Sequence, residues 1–224
     1  MSDQETPLLG PRATPFGPKT KQDRLAGYST HLGIGLFTVL VLSVLIRLPL
    51  SVFTIHPVFM TIFVVSISEG ISLLQPTHTP EQKAQGLKKH AAIQTISYVA
   101  AIIGFTAIFY NKVISSKPHF TSGHAQLGVF VFSFLFVQVL FGIIIAVLPR
   151  VYGDQSNAKS LWKYHRVSGY LLLVLIWTTV QLGVRADYMF NNLWSPQLIW
   201  LHWLVVVLVG YGVLRRIRFG KWGL

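Results

Sequence analysis

The chain has 224 residues, a formal net charge of +12 and a mean hydropathy of +0.53, with 52% hydrophobic and 12% charged residues and no cysteine. The charge share is about half that of a soluble domain, which marks an all-α integral membrane protein whose length is nearly consumed by its spans. The lack of cysteine excludes thiolate-held iron–sulfur clusters, Cys-type zinc sites, disulfides and covalently attached haem. The basic excess follows the pattern of membrane topology, and no nucleic-acid partner is expected.

Residues 1–27 hold Pro7, Pro11, Pro15 and Pro18 among several charges and read as a disordered tail. The tail has no apolar run of the kind a signal peptide needs. Glu5 and the Leu8-Leu9 pair within it resemble an acidic dileucine sorting signal, pointing to an endosomal, vacuolar or other endomembrane. A transmembrane domain follows over 28–217, and 218–224 form a short terminus. The domain contains six apolar runs near the roughly 20 residues a spanning helix requires: 28–46, 53–74, 89–110, 124–148, 165–184 and 197–214. Proline among polar neighbours separates them at Arg47-Leu48-Pro49, Gln75-Pro76-Thr77, Lys117-Pro118, Leu148-Pro149-Arg150 and Ser195-Pro196.

Orientation follows from the lysines and arginines of the short connections. The tail, the segments after spans two and four and the C-terminus carry fifteen of the nineteen, Lys83, Lys88, Lys89, Lys163 and Arg166 among them. The opposite side carries Arg47, Lys112, Lys117 and Arg185. Both termini are therefore expected in the cytosol.

Four histidines, His56, His90, His124 and His165, open spans two to five and alternate in membrane face. His56 and His124 fall on the non-cytosolic side, His90 and His165 on the cytosolic side. A titratable ring in a membrane marks function by default, and two facing pairs, one near each surface, suit two haems. Topology alone leaves three candidates per face: His31, His90 and His165 inside, His56, His124 and His202 outside. Spacing does not choose among them. His124 precedes Gly128, and His165 precedes Gly169, by one helical turn, which would let a flat macrocycle lie against the backbone. His31 and Gly35 share that pattern, however, while His56 and His90 lack it. His202, between Trp200 and Trp203, resembles part of an interfacial aromatic belt. His78 and His119 fall in loops.

His56-Pro57-Val58-Phe59-Met60, Lys88-Lys89-His90, Phe120-Thr121-Ser122-Gly123-His124-Ala125-Gln126-Leu127-Gly128 and Tyr164-His165-Arg166-Val167-Ser168-Gly169-Tyr170 together resemble the cytochrome b561 family, closest to its short domain-containing reductase type. The resemblance covers spans two to five, with one further helix on each side. It implies a four-helix core binding two non-covalent b haems, with His56 and His124 the axial iron ligands of the non-cytosolic one and His90 and His165 of the cytosolic one. It further implies electron transfer from cytosolic ascorbate to monodehydroascorbate or ferric chelates, and suggests a homodimer. The animal vesicle type has a Tyr-Arg pair closing span two and a Trp after the span-four motif. Leu73-Leu74-Gln75 and Ala125-Gln126-Leu127 stand there in this chain, so the haem ligands carry over and the ascorbate contacts do not.

Lys83, Lys88 and Lys89, with Lys163 and Arg166 beside His165, form a cationic mouth suited to an anionic reductant, besides serving as topology signals. On the outer side His119 is a candidate for proton exchange and Arg185 for anion contact. Glu69, the one acidic residue well inside a span, is expected to bond a haem ligand's second nitrogen, line a polar pocket or cap backbone. Gln138 and Gln181 are expected to join helices. Two other readings fit the composition. One is the haem subunit of a quinone-linked complex, which would need a partner subunit and a quinone pocket. The other is a histidine-lined metal transporter, which would cluster its ligands and acidic groups near the midplane.

Overall fold

The computed structural model describes residues 21–75, 77 and 79–221. The tail reading of residues 1–20, with its Glu5/Leu8-Leu9 signal, and the loop placement of His78 lie outside the described residues. The helices run α1 Lys21–Leu45, α2 Val52–Leu74, α3 Pro80–Ile114, α4 Gly123–Val147, α5 Gln155–Val184, the single turn α6 Asp187–Phe190, and α7 Ile199–Leu214 with a 3-10 turn, Pro196–Leu198, leading into it. All but α6 are long and apolar enough to cross a membrane, α7 together with its leading turn. The chain is a multi-pass, all-α membrane protein.

Side-chain caps set the helix starts. Ser51 and Thr54 form a reciprocal capping box on α2, and Thr79 and Gln82 another on α3, where Pro80 takes the first turn. Ser122 accepts from the Ala125 amide, and Asp154 accepts from the Asn157 amide at 2.7 Å. Caps do not coincide with the edges of apolar runs, and the starts of α3 and α5 therefore differ from expectation. α3 begins at Pro80 and α5 at Gln155, so Lys83, Lys88, Lys89 and Lys163 stand on polar helical extensions, not in loops. α1 begins at Lys21, so 21–27 are helical where a disordered tail was expected. Tertiary contacts hold this first turn: Ala26 is buried, and the Asp23 carbonyl accepts from the Arg216 guanidinium beyond α7.

Three antiparallel pairs build the bundle. α1 lies on α7, where the Ser29 hydroxyl donates to the Leu208 carbonyl at 2.7 Å, α2 on α3, and α4 on α5. The densest apolar core lies where α1 and α7 meet α2 and α5, around Phe37, Val44, Val64, Ile67, Leu172, Ile176, Val205 and Val209. Large side chains such as Val39, Phe136, Ile143, Val174 and Val207 point outward, as a lipid-facing surface requires. The α2–α3 and α4–α5 hairpins meet sparingly, chiefly between α2 and α5. The stacked rings of Phe105 and Phe132, centroids 4.4 Å apart and 9° from parallel, bridge α3 to α4 across this slot.

Candidate functional site: paired histidines across a slot

Each hairpin carries one histidine near either end, all four half-buried. The His56 Nδ1 on α2 lies 2.9 Å from the Gly104 carbonyl on α3, and the His90 Nδ1 on α3 lies 3.0 Å from the Gly70 carbonyl on α2. The arrangement is reciprocal, since Gly70 follows His56 by fourteen residues and Gly104 follows His90 by fourteen. In the second hairpin the His124 Nδ1 lies 3.0 Å from the Thr179 carbonyl, fourteen residues after His165. A carbonyl can only accept, so each of these Nδ1 atoms carries the proton and donates it. Each Nε2 is then left with its lone pair, the state in which an imidazole binds a metal.

The fourth ring breaks the pattern. The carbonyl fourteen residues after His124 belongs to Gln138, yet the His165 Nδ1 is buried with no hydrogen-bond partner. The Gln138 amide instead donates to the His165 carbonyl at 2.7 Å, and its oxygen accepts from the Ser168 hydroxyl at 2.8 Å. His165 is held by shape, with Trp162 edge-on at 5.6 Å and Phe141 at 6.0 Å, centroid to centroid. Gly142 faces its ring, and a Cβ there would sit 2.7 Å from Cε1. Gly183 plays the same part for His124, where a Cβ would sit 2.8 Å from Cε1 and 2.9 Å from Nδ1.

The rings of His56 and His124 face each other across the slot, centroids 6.1 Å apart and 80° between planes. A metal–imidazole bond is about 2 Å, so two imidazoles clasping one metal end-on have centroids about 6 Å apart. The pair has that separation. His90 and His165 lie within electrostatic range of each other at the opposite end. Among the described residues no three His, Cys, Asp or Glu side chains converge as a multidentate ion site would need. The histidines come in twos, and the donor set fits bis-histidine haem.

Residues 55–191 match the family model of eukaryotic cytochrome b561. The chain belongs to the cytochrome b561 family. It is 30% identical to the mouse protein named "Probable transmembrane reductase CYB561D1", over 73% of this chain and 72% of that one. It is 24% identical to the sheep "Transmembrane ascorbate-dependent reductase CYB561", over 62% of this chain and 54% of that one. It is 29% identical to the rat "Plasma membrane ascorbate-dependent reductase CYBRD1", over 45% of this chain and 35% of that one. Cytochrome b561 proteins bind haem b, and membership makes this chain a transmembrane electron-transfer oxidoreductase.

Among the described residues, the remaining histidines of this cytochrome b561 stand outside the slot. The His202 ring is buried, 1% exposed, with the Phe37 ring edge-on at 6.5 Å, so it belongs to the α1–α7 core and not to the exposed belt of Trp200 and Trp203. The reason is helical phase: His202 lies on the inward face of α7, and its tryptophan neighbours lie outward. The His31 Nδ1 lies 3.1 Å from a carboxylate oxygen of Glu69, so Glu69 pairs with α1 and not with a ligand of the slot. Gly128 and Gly169 serve the α4–α5 approach: a Cβ would meet Thr179 at 3.8 Å and the Gln138 amide nitrogen at 3.1 Å. Gln138 and Gln181 join helices as expected, Gln181 donating to the His202 carbonyl at 3.3 Å.

Lys83 stands two turns before His90 on the same face of α3, while Lys88 and Lys89 are turned away from it. Arg166 lies within electrostatic range of His165 and Tyr170. At the other end His119 packs on Phe109 at 4.5 Å. Its loop is shaped by positive φ at Ser116 and Phe120, by Lys112 donating to the Pro118 carbonyl and by Gln126 donating to the Phe120 carbonyl. Arg185 bonds Gln181 and lies over the Trp203 ring, 4.6 Å from its centroid. It borders a cleft of about 310 Å³ with Phe190, Ile199, Trp200 and Trp203.

Local patterns in the chain do not reveal the Gly70 and Gly104 carbonyls or the clearances at Gly142 and Gly183. The fourteen-residue offset shared by His56, His90 and His165 is a usable signal, because four turns return a residue to nearly the same face at the far end of its helix.

Proposed function

We propose that this protein holds two non-covalent b haems, one between His56 and His124 near the non-cytosolic face and one between His90 and His165 near the cytosolic face. It would carry electrons from cytosolic ascorbate to monodehydroascorbate or a ferric chelate. The observation that carries the reading is the His56–His124 pair: two rings from different hairpins, 6.1 Å apart across a slot, each with Nδ1 spent on a backbone carbonyl. When bound, a bis-imidazole haem supplies a one-electron iron couple with no open coordination position. The carbonyls of Gly104, Gly70 and Thr179 fix ring orientation and make their imidazoles better donors. Gly142 and Gly183 let the His165 and His124 rings lie against the facing helix.

The distribution of lysine and arginine supports placing His90 and His165 on the cytosolic side, with both termini. Lys83 and Arg166 near that pair would attract an ascorbate anion, Lys88 and Lys89 adding to the field. His119, on its shaped loop at the other end, would exchange a proton with the acceptor. Ascorbate enters through the names of the sheep and rat relatives, and a homodimer through the family.

The visible spectrum of purified protein before and after ascorbate tests this reading. The expected result is a low-spin b-type spectrum that ascorbate reduces. Absence of haem refutes the cofactor assignment, and haem that ascorbate leaves oxidised refutes the donor in favour of a quinone-linked role.

A further inference from the structure

Glu69 is the one carboxylate well inside a span, five residues before the end of α2 and so about 7–8 Å inside it. A carboxylate at that depth is costly unless paired or protonated. Its partner is the His31 imidazole at 3.1 Å, although a permanent cation, Arg216, is within electrostatic range. Arg216 directs its hydrogen bonds elsewhere, to the Ser72 hydroxyl at 2.8 Å, the Ser72 carbonyl and the Asp23 carbonyl. An Arg–Glu pair would be locked in the charged state, whereas an imidazole–carboxylate pair can take up or release one proton.

Exposure gives the pair a direction. The His31 side chain is 55% exposed and that of Glu69 25%, so His31 reaches outward near the lysine-rich end while Glu69 faces the bundle. The residue after Glu69 is Gly70, whose carbonyl accepts from the His90 Nδ1 at 3.0 Å. Other elements contribute few charges here. α1 brings His31 and Asp23, and the segment after α7 brings Arg216. α3 brings His90 and the neutral Gln94, whose amide donates to the Ile67 carbonyl. α5 brings the Tyr170 hydroxyl, bonded to Gln75, and the Trp177 ring, bonded to Ser68.

We infer that His31 and Glu69 form a proton-holding site coupled to the redox state of the His90/His165 centre. One electron arriving at that centre adds one negative charge. One proton taken from water by the pair offsets it, forming a single N–H or O–H bond, and oxidation returns the proton. The inference rests on the proposed haem assignment and adds a proton carrier outside the ligands.

The test is a redox titration of the full-length protein at several pH values, wild type beside Glu69→Gln and His31→Gln, with redox-difference infrared spectra of each. In the wild type the potential of one haem component falls as pH rises, at most about 59 mV per tenfold change in proton concentration for one proton per electron. Its infrared difference spectrum contains a carboxyl or imidazole band that responds to the iron's redox state. In both variants the slope flattens and the band is lost, with haem content unchanged. Haem retained with the slope and bands unaltered overturns the inference alone. If Glu69→Gln fails to assemble, His31→Gln decides on the same readouts. A wild-type protein without haem overturns the cofactor assignment, and the inference with it.

Discussion

Gly183→Ala places a methyl carbon 2.8 Å from Cε1 and 2.9 Å from Nδ1 of His124. Comfortable carbon contacts begin near 3.5 Å, so the ring must retreat by roughly 0.7 Å or more. The His124 Nδ1 then leaves the Thr179 carbonyl, now at 3.0 Å, for a distance beyond useful hydrogen-bond range. A buried donor left unpaired costs about 1–3 kcal/mol, which is about 5–150-fold in affinity for whatever His124 holds. The assay is haem titration of purified protein followed by visible spectra and potentiometry. One of two haem components should weaken or disappear. Gly142→Ala, whose methyl would stand 2.7 Å from Cε1 of His165, should affect the other component. Gly35→Ala and Gly210→Ala, where a Cβ meets nothing within 4 Å, are the controls and should change neither. If Gly183→Ala retains both components with unaltered potentials, the assignment of His124 as a ligand held by Thr179 fails.

Ligand pairing predicts that His56→Ala and His124→Ala lose the same haem component, and that His90→Ala and His165→Ala lose the other, by pyridine-haemochrome content and potentiometry. His202→Ala should leave both haems and lower thermal stability, since its ring fills core space against Phe37; loss of a haem instead would restore it as a ligand candidate. Lys83→Glu should raise the KM for ascorbate several-fold with little change in kcat, an effect that fades with added salt. An unchanged KM would reduce Lys83 to a topology signal. Arg216→Met removes charge-assisted bonds to Ser72 and Asp23, worth about 1.5–3 kcal/mol. It should lower the unfolding temperature in detergent without altering haem content per folded molecule.

Span number, the order of the four slot histidines and their alternation between ends are legible in the chain, because each depends on local sequence: hydrophobic length, a proline-marked break or the charge of a short connection. Helix starts are less so. Thr79-Pro80-Glu81-Gln82 and Asp154 through Asn157 carry capping chemistry, but they lie up to eleven residues before the apolar runs and extend α3 and α5 beyond them.

The roles of individual histidines and glycines lie beyond local pattern. His31 and His202 satisfy the same depth criterion as the slot histidines, and only packing separates them: one pairs with Glu69 on a neighbouring helix, the other is enclosed beside Phe37. Gly128 and Gly169 sit one turn from a histidine yet meet Thr179 and Gln138, while Gly142 and Gly183, far from any histidine in sequence, leave room for His165 and His124. The physical reason is antiparallel pairing. A ring at the start of one helix meets the end of its neighbour, so its acceptor and its clearance are set by a residue dozens of positions away, by the rotation of each helix about its axis and by the depth at which the two cross. Composition and charge determine that this chain threads a membrane six times; which side chains then face one another is decided only when the helices pack.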